Sequence, residues 1–437
     1  MPTVVTTQCC IAGGGPAGLT LGCLLARSGV EVLVLEKHAD FLRDFRGDTI
    51  HPSTMELMSE LGLLERFLQL PHQRVPKLFA QFGRDRLQLA DFSRLRVRAP
   101  FIAMMPQWDF LNFLAQNAAV FPGFRLMMRA EAEDLIIEGN DVVGVRATTT
   151  EGPLEIRSRL TVAADGRSSR LREAAQLKVR DLGAPIDVLW FRLTRLPSDT
   201  DETQGRFDAG RIFIMLNRGD YWQCAYVVPK GAYGTVKAEG LRAFQDKVGG
   251  LLPFEGERAA ELASWDQVKL LSVQVNRLER WWRPGLLCIG DAAHAMSPVG
   301  GVGVNMAVQD AVAAANHLAE PLRRNALGEE HLRAVQRRRR WPTRVIQSLQ
   351  VAVQNRVLLA TLQSTAPVAA PRALRIIAAT RCCATCRAGS SDWACSGSAC
   401  ARRLRVDALE ADRWPMSTQD RNAPYTGRHA AGSCSRG

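Results

Sequence analysis

The stretch "VVTTQCCIAGGGPAGLTLGCLLARSGVEVLVLEKH", residues 4–38, opens with an apolar run and turns on three consecutive glycines. It continues with apolar residues at helical spacing and closes on a second apolar run that ends in an acid. Strand, glycine turn, helix and strand in that order form a βαβ unit. Gly13, Gly15 and Gly18 satisfy GxGxxG directly after the first strand, with Pro16 and Ala17 opening the helix. Glycines here permit the tight turn, let the backbone approach a pyrophosphate and allow helix and strand to touch, while the helix N-terminus faces the phosphate charge. Glu36 stands at the end of the second strand, where a carboxylate accepts the ribose hydroxyl protons, with Lys37 beside it. An acid at that place disfavours a 2′-phosphate, so the loop suits an adenosine diphosphate with a free ribose.

A second glycine-rich loop, "GDAAHAMSPVGGVGVN", occupies residues 290–305. Gly290 and Asp291 end a buried strand, "GLLCIGD", and Pro298, Gly301, Gly303, Val304 and Asn305 lead into a helix. A second dinucleotide fold would need another GxGxxG, a further βαβ unit and a distal acid, whereas this loop runs straight into helices. The two loops therefore fit opposite ends of one long cofactor, and FAD meets that demand. Adenosine diphosphate falls to the first loop, the ribityl chain to Asp291, and the isoalloxazine to the N-terminus of the second helix, whose partial positive charge favours an anionic reduced flavin.

With these residues in place, the chain resembles the class A flavoprotein monooxygenases, the aromatic-hydroxylase family typified by para-hydroxybenzoate hydroxylase. Three motifs stand in family order over residues 4 to about 362: GxGxxG with Glu36, "DGRSSRLR" through Asp165, Gly166, Ser169 and Arg172, and the 290–305 loop. The resemblance implies a Rossmann-like FAD-binding domain with an inserted mixed β-sheet substrate domain and C-terminal helices, an α/β fold. It also implies that NADH or NADPH reduces FAD, binding without a Rossmann domain of its own, and that the Asp-Gly turn serves both. Oxygen would then reach an aromatic or other hydrophobic small molecule through a flavin C4a-hydroperoxide. Shorter matches place Arg46, in "FRGDTIHPSTMEL", by the flavin pyrophosphate and Gln107, in "PQWDFLNFL", by the ribityl chain; either also fits a surface cap or a solvated side chain. Val302 departs from the family pattern, where glutamine is frequent.

Pro298 and the Gly300-Gly301 turn are expected to face the reactive side of the flavin, and no residue presents itself as a catalytic base. His294 reads as a structural hydrogen-bonding histidine, and His51 and His72 lack partners. Exclusion of water calls for an apolar pocket, with Trp190, Phe191, Phe213, Trp222 and Tyr226 as wall candidates, although each also fits plain sheet core. A halogenase or reductase on the same scaffold is the alternative enzyme class. "ASWDQVKLLSV" has one tryptophan and not the WxWxIP spacing of such halogenases. A non-enzymatic flavin-binding remnant is the alternative outside enzymes.

The expected divisions are 1–75, 106–180 and 281–325 for the FAD-binding parts, 76–105 and 181–280 for the substrate domain, 326–365 for C-terminal helices and 366–437 for an irregular tail. With 46% hydrophobic and 23% charged residues, the bulk of the 437-residue chain is globular. Its net charge of +12 would hint at nucleic acid or an anionic membrane. From Pro367 onward, however, eleven arginines and no lysine stand against five carboxylates, so half of the excess lies in the tail. No part of the body interleaves aromatics with basic residues as a nucleic-acid platform does. The N-terminal apolar run is broken by glycines and proline, which disfavours a signal peptide or a membrane span; a cytoplasmic protein without stable membrane insertion is expected. The "RRRRWP" run at 337–342 could mark a nuclear or membrane signal, but it reads as a solvated helix face. Five cysteines are scattered through apolar segments, and six crowd the tail. There, Cys382 and Cys386 have CxxxC spacing, but a slipped reading frame near residues 365–380 accounts better for the composition than a metal site, and no metal is expected.

Overall fold

The computed structural model describes residues 3–42, 49–254 and 257–370. Arg46 and the cysteine-rich stretch after residue 370, with the metal and frame-slip readings placed on it, lie outside the described residues.

Strand β1 (Thr3–Ala12) is solvated at its start and buried through its last four residues, as a central parallel strand requires. Three glycines turn the chain into α1 (Pro16–Arg27), which carries proline in its first turn, where the missing N–H is no loss. Strand β2 (Val32–Glu36) is buried throughout. Three further parallel strands follow: β3 (Phe124–Met128) beside β2, β4 (Gly152–Ala163) beside β1, and β5 (Leu286–Cys288) beside β4. Their spatial order is 3-2-1-4-5, the doubly wound order whose crevice lies at the carboxyl ends of the strands. Helices α1 and α2 (Gly303–Arg323) cover one face, burying Leu21, Leu24 and Ala311 against Ile11 and Val162. On the other face an antiparallel hairpin, Ala130–Glu138 and Asp141–Thr149, packs Leu135 and Val145 on Cys10, Leu33 and Leu35. The five body cysteines are buried free thiols, and burial pushes the thiols of Cys10 and Cys23 up to about 12 and about 11.

A second, seven-stranded sheet runs in the order 269–272, 186–194, 221–229, 211–217, 204–208, 77–82 and 85–91. All its pairs are antiparallel except Gln204–Asp208 beside Lys77–Phe82. Period-two alternation divides its side chains. Along Ile186–Thr194, Ile186, Val188 and Trp190 face one side, while Leu189, Phe191 and Leu193 face the other, where Phe244 and Val248 of helix Leu241–Gly249 pack. After α2 the chain turns into α3 (Glu329–Val353), a 25-residue helix that packs on α2 and extends to the second sheet. The architecture is mixed α/β.

Gly13 is the point on which the first loop depends. Its φ is +110°, and a Cβ there would lie 2.2 Å from the Ala164 carbonyl oxygen at the end of β4. Gly13→Ala is expected to lower unfolding stability by about 2–4 kcal/mol through strain and overlap together. Gly62→Ala, with φ of +75° but open space around it, should cost about 1 kcal/mol. Urea denaturation of both variants checks the difference.

Candidate functional site

The carboxyl ends of β1, β2 and β4 and the loop after β5 open into one cavity of about 850 Å³. At one end stands Glu36, nearly buried, its carboxylate accepting the Gly14 and His38 amide N–H groups at 3.0 Å each. The N-terminus of α1 has no side-chain cap, and the space above Gly15 is open, with no atom within 4 Å of where a Cβ would be. Its amides thus face the cavity free to bind an anion.

In the middle, the Asp-Gly turn follows β4. Asp165 is half-buried; its Oδ2 accepts the Leu171 amide N–H at 3.3 Å, while its Oδ1, itself buried, has no partner among the described residues. Burial raises the Asp165 carboxyl despite hydrogen bonds from Ser169 and Leu171 and the charge of Arg172. Opposite it, Asp291 meets Arg167 at 3.4 Å in a pair about one-third exposed, loose enough to be worth little on its own.

The loops are bound to each other by residues that do not line the cavity. Arg172 is buried and donates through Nη1 to the Ala292 carbonyl and through Nη2 to the Arg167 carbonyl. Gly290 comes so close to Ala17 of α1 that a Cβ would lie 3.1 Å from the Ala17 Cβ, and its amide donates to Asp310 Oδ2 at 3.0 Å. Asp310, fully buried on α2, also meets His294 Nε2 at 2.5 Å and accepts from Arg339 Nε of α3 at 2.7 Å. Burial by itself would raise the Asp310 carboxyl, but the charges of His294 and Arg339 outweigh it and hold the group down at about 2.

Beyond Asp291, the Pro298–Gly301 turn is fixed from outside. Thr49 donates to the Gly301 carbonyl at 2.6 Å, and Asn305 donates to the carbonyls of Thr49 and Gly301 while accepting from the His51 amide and the Thr54 hydroxyl. His51 lines the cavity at this turn, edge-on to Phe92. Burial lowers its pKa to about 4, a backbone hydrogen bond with Gly300 opposing, so its ring is neutral at pH 7. The far wall is the apolar face of the second sheet, with Val188, Trp190, Ile212 and Val227, closed on one side by Ile346 and Leu349 of α3.

Of the residues singled out from sequence, Gly13, Gly15, Pro16, Ala17, Glu36, Lys37, Gln107, Asp165, Gly166, Asp291, Pro298, Gly301, Gly303, Val304 and Trp190 line this one cavity. Gly18, Gly290 and Asn305 stand behind it as packing and bonding residues. Phe213, Trp222 and Tyr226, with Phe191, require correction: strand alternation points them to the opposite face, into the core under helix Leu241–Gly249. The arginine run is corrected at one position, because Arg339 is buried on Asp310 while Arg337, Arg338 and Arg340 are exposed. Asp310, Thr49 and Arg339 were not singled out as site residues. For Arg339 a signal existed: Leu332, Val335, Arg339, Pro342 and Ile346 form the buried stripe of α3, so the apolar spacing runs through the arginine.

The FAD binding domain family matches residues 6–348. The 6-methylpretetramide 4-monooxygenase of Streptomyces rimosus is 32% identical over 86% of this chain and 89% of its own length. The 12-dehydrotetracycline 5-monooxygenase/anhydrotetracycline 6-monooxygenase of the same species is 30% identical over 69% of this chain, which spans 60% of that relative. Among solved structures, the OxyS anhydrotetracycline hydroxylase from Streptomyces rimosus superposes with a TM-score of 0.71 at 22% identity, covering 89% of this chain and 76% of that one.

Two measurements test the site. Asp310→Asn leaves Arg339 buried without a counter-charge and should cost about 3–5 kcal/mol of stability, whereas Asp310→Asn with Arg339→Met should cost less than the single change. His51 is held below its ordinary pKa, so stability present above about pH 6.5 is lost as pH falls towards 4, by about 3 kcal/mol. In His51→Asn that part of the pH dependence should vanish from urea midpoints taken between pH 7 and 4.

Proposed function

Because the chain belongs to the FAD binding domain family and is an FAD-dependent monooxygenase, we propose that it hydroxylates a fused-ring, phenol-bearing aromatic molecule held between the Pro298–Gly301 turn and the sheet face bearing Trp190. The observation that carries this reading is the continuity of the cavity: one space joins the acid at Glu36, the two acids at the Asp-Gly turn and second loop, and a broad apolar wall. FAD bound there supplies reduction by NAD(P)H and oxygen activation.

The chain's own residues provide binding, orientation and dryness. Glu36 accepts the ribose hydroxyls, and the open N-terminus of α1 holds the pyrophosphate. Asp165 Oδ1, buried without a partner among the described residues, would accept a donor from the ligand, and Asp291 would hold the polyol chain. Gln107, at the first turn of its helix and lining the cavity, would meet that chain. Pro298 and Gly301 present backbone to the ring system, with the α2 N-terminus behind them favouring negative charge. The apolar wall excludes water. The tetracyclic names of the relatives support a substrate of several fused rings, as does the breadth of the sheet face. In this reading residues 76–105 and 181–280 form the substrate part.

Purified chain loaded with FAD should oxidise NAD(P)H slowly alone and at least tenfold faster with a four-ring phenolic compound, with product mass showing one added oxygen atom. Single-ring phenols should give little stimulation. Stimulation by single-ring phenols only, or by neither class with flavin fully bound, would sink the reading.

A further inference from the structure

We propose that the outer face of α3, together with the strand pair Val179–Asp181 and Asn276–Leu278, docks on an anionic lipid surface and brings the mouth of the cavity to it. Along α3, Trp341, Val345 and Leu349 follow one another at four-residue intervals and are 64%, 44% and 56% exposed, which places them on one stripe of the helix. Arg337, Arg340 and Arg344 are exposed around that stripe. Beside it, Arg180 and Arg277 stand directly opposite each other in the antiparallel pair. Like charges so placed cost stability.

Arg277 donates to Gln347 of α3 at 3.4 Å, which ties the pair to the helix. Arg180, Arg340 and Arg344 surround it closely enough that, after burial, their charges lower its pKa. Among the described residues, none of Arg180, Arg277, Arg337, Arg340 and Arg344 has a carboxylate partner.

Charge decides between the possible occupants. A second copy joined by a two-fold axis would set these arginines against themselves. Residues 371–437 of the chain are themselves arginine-rich, with eleven arginines to five carboxylates, so they too would be repelled. An anionic bilayer satisfies both halves of the surface: phosphate groups take the arginines, and the acyl boundary takes tryptophan, valine and leucine, as with amphipathic helices lying at the interface. No helix of the described residues is long and apolar enough to cross a membrane, so contact is peripheral. Leu349 belongs to both the stripe and the cavity wall, which gives an apolar molecule dissolved in the bilayer a path to the site. That last step rests on the apolar-substrate reading above; the docking itself does not.

The test is co-sedimentation of the full FAD-loaded chain with vesicles of phosphatidylglycerol and phosphatidylcholine, against phosphatidylcholine alone. Binding should require the anionic lipid and be lost at about 0.5 M salt. Removing two arginines, at about 1 kcal/mol each near the surface, should weaken it about thirtyfold in Arg340→Gln/Arg344→Gln. The fluorescence blue shift on vesicle addition should disappear in Trp341→Phe. Flavin content and NAD(P)H oxidation with a water-soluble substrate should be unchanged in these variants, which keeps the result separate from the hydroxylase reading. Failure to bind anionic vesicles at low salt, equal binding to phosphatidylcholine, variants that bind as well as the parent, or displacement from vesicles by a short DNA duplex would each overturn the proposal.

Discussion

The buried carboxylate of Asp310 is the interaction on which the site depends. It lies on α2 with no solvent contact and takes three donors from three places: the Gly290 amide at the start of the second loop, His294 within that loop, and Arg339 of α3. A charge so placed is expensive unless both oxygens are hydrogen-bonded and a counter-charge is present. Both conditions hold. The second glycine loop is thereby fixed relative to α2, α3 is fixed relative to the loop, and α3 in turn closes the far side of the cavity.

The cavity itself is organised by unequal acids. Glu36 accepts two backbone amides, Asp165 has one buried oxygen without a partner among the described residues, and Asp291 is held by a single loose arginine contact. All three line the same cavity. The apolar sheet wall has a different chemistry and a different chain origin. Its strands come from residues 77–91 and 186–272, so the acidic row and the apolar wall are separate in sequence and can change independently.

Sequence made the cofactor half of the site legible because it is a backbone-dominated site. Glycines, a proline at a helix start and an acid at a strand end are demanded by turn geometry and phosphate approach, and those demands leave fixed spacings. The apolar wall was legible as strands but not as a face. Period-two alternation says that Trp190 and Phe191 point opposite ways, yet not which way the cavity lies; Phe213, Trp222 and Tyr226 were therefore assigned to the wrong side. The Asp310 network was hidden because its members are single residues on different helices, with no spacing between them to read. Arg339 was hidden by composition, since three of the four arginines in its run are indeed solvated.

The order of strands in the first sheet bears on how the polypeptide comes off the ribosome. β1 lies at the centre, with β2 close behind it in the chain but its other neighbour, β4, delivered only at residues 152–163. Until then one edge of a strand buried on both faces in the finished protein has no neighbour, and such edges invite intermolecular pairing. β5 and the Asp310–Arg339 closure come later still, so most of the chain must be synthesised before the first glycine loop is sealed. Nascent chains should depend on holding chaperones through that interval, and a slow codon stretch ahead of β4 would lower the yield of active protein without altering a single contact in the native state.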